Sequence, residues 1–359
     1  MKKETIVFMG VGDVQIDREK PETIFNHVAD VLRSADIAYA NCEQALSDKG
    51  YPNPIQSAHH DSRALNAFLS AGFDVVSLAN NHVLDWGREA LIDTFVRLKA
   101  AGLPYVGAGY NITEARQPVI LERKGTKVGF LAYSNVNLPG YEATANKSGT
   151  AQIRVWTVYD KVDYQPGTKP RIVTIPHKDD MKAMIEDIKK LKAQVDVVVL
   201  CMHWGMHIVP RVIPDYCFDI GHTAIDVGAD LILGTHPHIL KGVEMYKGKA
   251  IFFSTSDFGL ELGPHLRDHA HMKEMDEIHG TEDNEKRNYT MIVKAIIEDG
   301  VIKKVSYLPT YIDKKREPVI MTRKDALGQD ICNYITDISK SEHLKASFTW
   351  DGDEVMITP

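Results

Sequence analysis

The sequence lacks the features that mark disulfide-rich and membrane-spanning proteins. Its 4 cysteines are Cys42, Cys201, Cys217 and Cys332, and no two of them have the short spacing of a zinc knuckle or a disulfide framework. Long apolar runs are missing too, since the first one, Thr5 to Met9, is too short for a signal-peptide core or a membrane span. We therefore expect a cytoplasmic protein with no membrane span.

A basic stripe is also missing. The net charge of -7 is spread over the chain, which disfavours nucleic acid or an anionic membrane as the main partner. The 44% of apolar residues is enough for a packed core, so disorder is excluded as well. The expected partner is a small-molecule or peptide substrate, and the sequence leaves the oligomeric state open.

Short apolar runs alternate with longer segments of helical period, which is typical of a layered α/β fold. The runs are Thr5 to Gly10, Ile37 to Ala40, Val75 to Ala79, Val128 to Tyr133, Val195 to Cys201, Leu231 to Gly234 and Ala250 to Ser254. The predicted helices are Pro21 to Ser34, Ser62 to Ala71, Gly87 to Ala101, Lys178 to Ala193 and Tyr216 to Val227.

The chain is predicted to form one domain over residues 1–320, followed by a helix and tail over 321–359. Two stretches, at about 137–176 and 260–288, interrupt the alternation and are interpreted as insertions. The second is crowded with His, Asp and Glu, which favours a mobile lid or a solvated segment. After it, two strands flanking Asp299-Gly300 predict a hairpin.

Polar side chains follow six of the apolar runs, at the point where each predicted strand ends. They are Asp13, Asn41 and Glu43, Asn81 and His82, His203, His236 and His238, and Asp257. In layered α/β proteins the carboxyl ends of parallel strands share one edge of the sheet, where ligands bind. These side chains are therefore expected to meet although they lie far apart in the sequence.

The residue types indicate a metal site. Carboxylate, amide and imidazole ligands suit Mn, Fe, Zn or Co, and a carboxylate shared by two such ions would activate water for hydrolysis. The most specific signal is His236-Pro237-His238, where an extended backbone would put both imidazoles on one side. We expect divalent metal ions, two in number.

Each motif taken alone has an alternative interpretation. Asp13 after a glycine could belong to a turn, and Asn80-Asn81-His82 could cap the following helix. His203 could be a hydrogen-bonded histidine of the core. The metal site is favoured because the motifs occur together.

With these motifs, the sequence resembles the CapA/PgsA family of poly-γ-glutamate capsule synthesis, a branch of the calcineurin-like metallophosphoesterase superfamily. The resemblance covers about residues 5–310 and rests on Gly12-Asp13, Asn41-x-Glu43, Ala79-Asn80-Asn81-His82 with Asp85 and Gly87, Gly107-x-Gly109, His203-Trp204-Gly205 and Gly228-Ala229-Asp230 leading to Gly234-Thr235-His236-Pro237-His238. It implies a four-layer α/β/β/α sandwich with two central mixed sheets, similar to metallophosphoesterases.

The resemblance also implies roles for the strand-end residues. Asp13 and His238 would bind one metal, and Glu43 would bridge to a second. The ligands that it implies for the second metal are Asn81, His203 and His236. His82 would donate a proton to the leaving group.

Two positions depart from the family pattern. Gln15 replaces a histidine of the usual Asp-x-His start, and Asp257 stands where an asparagine is usual. Asp257 is therefore predicted to be catalytic, either as an extra ligand or in contact with substrate. The expected function is a hydrolase that uses metal-activated water on a phosphoester or amide bond. The alternatives are an enzyme acting on peptide or γ-glutamyl amides, as amidase, ligase partner or epimerase, and a non-catalytic capsule biosynthesis factor.

Overall fold

The structure is a computed structural model that describes residues 3–55, 58, 60–261 and 284–359. Most of the predicted 260–288 insertion lies outside these residues. The described α-helices are α1 (Ala29–Arg33), α2 (Leu65–Ala71), α3 (Gly87–Ala101), α4 (Ile112–Ala115), α5 (Lys178–Lys192), α6 (Asp215–Val227) and α7 (Ala326–Ser341). Short 3-10 helices span Pro21–Phe25, Ser62–Ala64 and Asn284–Asn288.

The strands confirm the predicted alternation with helices. In chain order they are β1 (Ile6–Gln15), β2 (Ile37–Cys42), β3 (Val75–Ser77), β4 (Tyr105–Val106), β5 (Ala108–Gly109), β6 (Val119–Arg123), β7 (Thr126–Ser134), β8 (Gly149–Thr150), β9 (Val155–Asp160), β10 (Arg171–Pro176), β11 (Val197–His203), β12 (Leu231–Thr235), β13 (Val243–Tyr246), β14 (Lys249–Phe252), β15 (Asp257–Leu260), β16 (Tyr289–Glu298), β17 (Val301–Ile312), β18 (Pro318–Ile320), β19 (Ser347–Asp351) and β20 (Glu354–Thr358).

Two mixed sheets form the centre of the fold. The first has the order β19-β20-β17-β16-β1-β2-β3-β4, with β15 added beside β1 and β18 beside β17. The second has the order β13-β14-β12-β11-β7-β6. Strands β1, β2 and β3 run parallel, as do β7, β11, β12 and β14, so the carboxyl ends of each set lie at one edge of their sheet.

Buried side chains show four layers. Phe8 of β1 and Phe130 of β7 belong to one core between the sheets, with their ring centroids 6.1 Å apart. A second core joins the outer face of β2 to helices α1–α3 through residues such as Phe68. A third joins β11 to α5 and α6 through residues such as Ile188 and Ile220. The predicted four-layer α/β/β/α sandwich with two mixed sheets is confirmed.

The strands read as apolar runs because most of them are buried on both faces. In β11 every residue is buried, and alternate side chains enter the core between the sheets or the core under α5 and α6. Helix α5 matches this with Met184, Ile188 and Leu191, which are spaced to form one buried face. The apolar spacing in the sequence thus fixes which face of each element turns inward.

The predicted insertion at about 137–176 and the C-terminal region 321–359 have regular structure of their own. Residues 155–176 form the hairpin β9–β10, and the segment before it contributes Tyr141 and Ile153 to the buried cores. Helix α7 packs in the core between the sheets, while β20 pairs with β17. The division of the chain into domains at residue 320 stays a prediction.

Strands β1 and β15 approach closely at the sheet edge where the predicted site residues Asp13 and Asp257 lie. A Cβ atom on Gly12 would lie 1.7 Å from the carbonyl oxygen of Ser256, so only glycine fits there. Asp13 and Asp257 are consequently register partners on adjacent parallel strands.

Among the described residues, no helix combines the length and the apolar character needed to cross a membrane. The cytoplasmic location and the lack of a nucleic-acid partner stay predictions.

Candidate metal centre

One candidate metal group consists of Glu43, His203 and His236, whose ligand atoms lie within 4.8 Å of one another. Asn81 joins this group, because its Oδ1 lies 2.7 Å from His203 Nε2. Glu43 Oε1 lies 3.2 Å from the same nitrogen. Ligands bound at about 2.0–2.2 Å from one cation lie about 3 Å apart, so these contacts have the spacing of a shared coordination sphere.

The orientation of His203 supports this geometry. The Thr235 hydroxyl donates to the Met202 carbonyl at 3.4 Å, which leaves its oxygen to accept from His203 Nδ1 at 2.9 Å. With the proton on Nδ1, the Nε2 lone pair points toward Asn81 and Glu43. His203 is 1% exposed, so the alternative interpretation as a core histidine is correct about burial but does not explain the two oxygens facing Nε2.

Unpartnered polar atoms provide a test of whether a metal fits. Neither carboxylate oxygen of Glu43 accepts a hydrogen bond from the described residues, and Glu43 is 0% exposed. His236 Nδ1 is likewise buried without a hydrogen-bond partner there. Burying a carboxylate without a partner is costly, and a cation would offset that cost. The residues present therefore fit a divalent metal.

A second group shares Glu43 with the first and adds Asp13 and His238, again with ligand atoms within 4.8 Å of one another. Asp13 is held firmly, since its two oxygens accept hydrogen bonds from Asn41 Nδ2 at 2.7 Å and from the His236 amide at 2.9 Å. The two groups share the carboxylate of Glu43, and the assignment of these residues as ligands stays a prediction.

The electrostatics of Asp13, Glu43, His203 and His236 also suit cations. Burial, together with the nearby Glu43, raises the pKa of Asp13 to about 7, and burial raises the pKa of Glu43. Burial lowers the pKa of His203 to about 3 and the pKa of His236 well below its ordinary value. The neutral imidazoles have available lone pairs, and the carboxyl groups would ionise on binding a cation.

Asp257 lies beside the second group. Its Oδ1 is 2.7 Å from His238 Nδ1, while Asp13 Oδ2 is 3.7 Å from the same nitrogen. Burial opposes protonation of His238, but Asp257 and Glu43 outweigh it and raise its pKa to about 10. In this geometry Asp257 orients the His238 ring. Arg316 Nη2 lies 3.9 Å from Asp257 Oδ2 at the rim of the site.

Gln15 occupies the position of the expected histidine. Its amide nitrogen donates to the Glu261 carbonyl at 3.0 Å, just beyond the end of β15. The side chain is therefore engaged in holding β15 against β1. Asp257, at the start of the same strand, places a carboxylate beside His238.

His82 lies at the edge of the first group and pairs with Asp85, with 2.7 Å between Nδ1 and Oδ2. Burial favours the neutral ring, but the carboxylate of Asp85 outweighs burial and raises the pKa of His82. The alternative interpretation of Asn80-Asn81-His82 as a helix cap is wrong, because α3 begins after Trp86 and no side chain caps it. Asn80 Oδ1 instead accepts from the amides of His82 and Val83 at 3.1 Å each, in a turn that precedes the helix. This turn directs Asn81 toward His203.

The backbone at His236-Pro237-His238 differs from the sequence prediction. An extended step was expected, but this prediction is wrong, because His236 has φ +96° and His238 has φ +57°. The chain turns sharply here, and the two ring centroids are 6.1 Å apart. Non-glycine residues rarely adopt such angles, which cost about 1–3 kcal/mol each and cluster at functional sites.

Sequence reasoning missed His207. Its ring lies over His236, with 4.0 Å between centroids, and 5.0 Å from His238. The amide of Ile208 donates to the Pro237 carbonyl at 2.9 Å, which fixes the loop against the histidine turn. The spacing of four residues from His203 was the one signal that could have indicated His207.

Comparison with known proteins gives a family and a fold. A family model described as "Bacterial capsule synthesis protein PGA_cap" matches residues 6–260. The capsule biosynthesis protein CapA of Bacillus anthracis is 29% identical over 275 residues, covering 73% of this chain and 61% of the relative. The PGA biosynthesis protein CapA of Bacillus subtilis (strain 168) is 27% identical over 265 residues, covering 70% and 63%. The chain thus spans about three-fifths of the length of these relatives.

Among solved structures, a phosphatase from Mycoplasma pneumoniae aligns with a TM-score of 0.51 at 14% identity. The alignment covers 86% of this chain and 94% of that one. At this identity the likeness shows a shared fold, and it leaves the activity of this chain to be argued from the site.

Proposed function

The chain belongs to the family of bacterial capsule synthesis proteins PGA_cap, and from that premise we propose that it is a metal-dependent hydrolase that acts on phosphoesters. The observation that carries the proposal is the shared carboxylate of Glu43. It is fully buried, its oxygens accept no hydrogen bond from the described residues, and it belongs to both candidate metal groups.

The proposed ligands fall into two sets that share Glu43. Asp13 and His238 would hold one divalent ion. The other ion would be held by Asn81, His203 and His236. Such ions, when bound, lower the pKa of water and withdraw charge from the transferring group. Manganese, iron, zinc and cobalt all suit these oxygen and nitrogen donors.

His82 is the proposed proton donor. In hydrolysis a water oxygen bonds to phosphorus, the bond from phosphorus to the leaving oxygen breaks, and that oxygen takes the proton from His82. The ring recovers a proton from the attacking water through solvent. Asp85 holds the ring at 2.7 Å, and its carboxylate raises the pKa of His82, which favours the protonated donor. Asp257 is proposed to act through His238, which it orients.

A second candidate function is cleavage of γ-glutamyl amides. The observation that favours it is the relative named for PGA biosynthesis, together with the matched capsule-synthesis family. The same metal groups would serve an acyl carbon, with the leaving nitrogen protonated by His82. Turnover of aryl phosphates with no turnover of γ-glutamyl amides would exclude this candidate.

The test of the proposal replaces His236, a proposed ligand whose buried Nδ1 has no hydrogen-bond partner among the described residues. Loss of a residue that only hydrogen-bonds to a metal ligand lowers metal affinity by roughly 10–100-fold. We expect His236→Ala to lower manganese affinity by at least this factor and to abolish aryl phosphate turnover. His222→Ala is the matched control, because His222 pairs with Glu244 at 2.7 Å outside the site. Full metal content and turnover in His236→Ala, measured by elemental analysis and initial rates, would overturn the assignment.

A further inference from the structure

We propose that Tyr141 is a positioning residue for His82, acting through Asp85. The inference rests on the proposed function, because the residue that Tyr141 would position is the proton donor assigned there. Tyr141 lies on the segment after β7, about 60 residues beyond His82, in the stretch that the sequence indicated to be an insertion. Nothing in its local sequence marks it as part of the site.

A continuous chain of hydrogen bonds joins Tyr141 to His82. The Tyr141 hydroxyl donates to Asp85 Oδ1 at 3.0 Å, and Asp85 Oδ2 lies 2.7 Å from His82 Nδ1. The amide of Ala58 donates to Oδ2 at 2.6 Å. Asn53 Nδ2 in turn donates to the Tyr141 oxygen at 2.9 Å, so the hydroxyl proton is directed toward Asp85.

These bonds fix the plane of the Asp85 carboxylate. Asp85 is 0% exposed, so water cannot replace a lost partner at low cost. Oδ1 depends on Tyr141, while Oδ2 serves both Ala58 and His82. Without the Tyr141 hydroxyl, the Asp85 carboxylate could rotate, and Oδ2 would no longer be held in one position between the Ala58 amide and His82 Nδ1. The His82 ring would then lose its single orientation.

The segment that carries Tyr141 is itself held in place. Arg88 on α3 donates to the carbonyls of Gly140 at 2.6 Å and Ser148 at 3.1 Å. The Tyr141 amide donates to Leu138, and its carbonyl accepts from Thr150. Tyr141 is 6% exposed and its ring belongs to the core under α2 and α3. Its hydroxyl therefore meets Asp85 from a rigid support.

Substrates with different leaving groups separate positioning from a purely structural role. A proton donor matters most when the leaving oxygen is a poor leaving group, and least when that oxygen departs readily as an anion. Loss of positioning should therefore slow turnover of alkyl phosphates more than turnover of nitrophenyl phosphate. A general loss of folded protein would slow both equally.

The experiment compares Tyr141→Phe with Tyr133→Phe in the manganese-loaded protein. Tyr133 is the matched control, since its buried hydroxyl also donates to an aspartate, Asp187, at 2.7 Å, away from the site. For Tyr141→Phe we expect kcat to fall about tenfold on the alkyl ester and less than about twofold on the nitrophenyl ester, with KM unchanged; general acid catalysis supplies about 10²–10⁴-fold in all. Tyr133→Phe should leave both rates unchanged.

A second measurement separates failure of this inference from failure of the proposed function. The ring nitrogens of His82, labelled with ¹⁵N in zinc-loaded protein at a pH high enough to keep the ring neutral, should show one tautomer in the wild type and a mixture in Tyr141→Phe, with metal content equal. If both proteins lack phosphoesterase activity but the tautomer changes, the positioning stands and the proposed function fails. Equal losses on both esters, or an unchanged His82 spectrum, would overturn the positioning role.

Discussion

The carboxylate of Glu43 carries unfavourable free energy when no cation is bound beside it. It is fully buried, and burial raises its pKa above the ordinary value of 4.5. A folded-state pKa that lies above the unfolded value means that the folded protein binds the extra proton. The contribution of Glu43 to stability is therefore present below the unfolded pKa and is lost as pH rises through the folded one.

The raised pKa of Glu43 predicts how Glu43→Gln behaves in the presence of a chelator. Near pH 4.5 the variant and the wild type should unfold with similar free energies. At pH 7.5 the variant should be more stable by about 1–3 kcal/mol, because glutamine carries no charge into the interior. Thermal unfolding of both proteins across this pH range, followed by circular dichroism, is the measurement.

Added manganese should reverse this order of stability, so that the wild type becomes more stable than Glu43→Gln. A ligand that binds the folded state raises the unfolding free energy, so the wild type should gain stability with added metal while Glu43→Gln gains little. Glu244→Gln, which removes a carboxylate paired with His222 outside the site, should respond to metal as the wild type does. A metal-dependent gain in Glu43→Gln equal to that of the wild type would show that Glu43 is not a ligand.

At the scale of elements, the loop from 205 to 214 is tied to the histidine turn by a buried lysine. Lys241 is 3% exposed, and its ammonium group donates to the carbonyls of Val209 and of Val212, the latter at 3.1 Å. Burial lowers its pKa to about 8 from the ordinary value of 10.5. The ammonium thus holds the loop that carries His207, at a cost set by burying its charge.

Replacement of Lys241 by Met tests this bond through its pH dependence. Between about pH 8 and 10.5 the unfolded chain binds more protons at Lys241 than the folded chain does. The wild type should therefore gain stability relative to Lys241→Met as pH rises through that window. Urea unfolding at several pH values gives the difference directly. Lys304→Met, which removes a surface cation near Asp351, reports the effect of losing one positive charge.

If the difference between wild type and Lys241→Met is independent of pH, or falls as pH rises, the buried ammonium does not govern the loop. Near pH 7 the variant also leaves the carbonyls of Val209 and Val212 without this donor. Faster amide hydrogen exchange over residues 205–214 is therefore expected in the variant.

Elements that are buried on both faces could be predicted from the sequence, and exposed ones could not. The run Val197–His203 is uniformly apolar and appears as β11. The hairpin of β19 and β20 was expected only as a tail, because its strand Ser347–Asp351 alternates weakly at the edge of the sheet. The hairpin β9–β10 was missed because it pairs only with itself among the described residues.

The residues of the site also differ in whether the sequence could predict their positions. Residues toward the carboxyl ends of strands, such as Asp13 in β1 and His203 in β11, could be expected near one another because these strand ends share an edge. Tyr141 and the angles at His236 could not, since both depend on contacts between distant segments. The extended step expected at His236-Pro237-His238 followed from local preference, and tertiary contacts such as that between the His236 amide and Asp13 override it.

At the scale of the whole molecule, the C-terminal region is built into the core that supports the site. Ile331, Ile335 and Ile338 of α7 are all at most 1% exposed and join the core between the two sheets. Strand β20 extends the same sheet that carries Asp13 and Glu43. A separately folding tail would leave these isoleucines without partners, so we expect residues 321–359 to unfold together with the rest of the chain.

Ile335→Ala tests this expectation. Loss of a fully buried isoleucine should lower the unfolding free energy by about 2–5 kcal/mol and should shift a single transition. Leu327→Ala, at a position 38% exposed on the same helix, should change stability far less. Manganese should slow amide exchange in α7 and in β1 to the same degree, because one cooperative unit transmits the gain from metal binding to both. Two separate transitions, or metal-dependent protection in β1 without any in α7, would show that the C-terminal region folds independently of the metal centre.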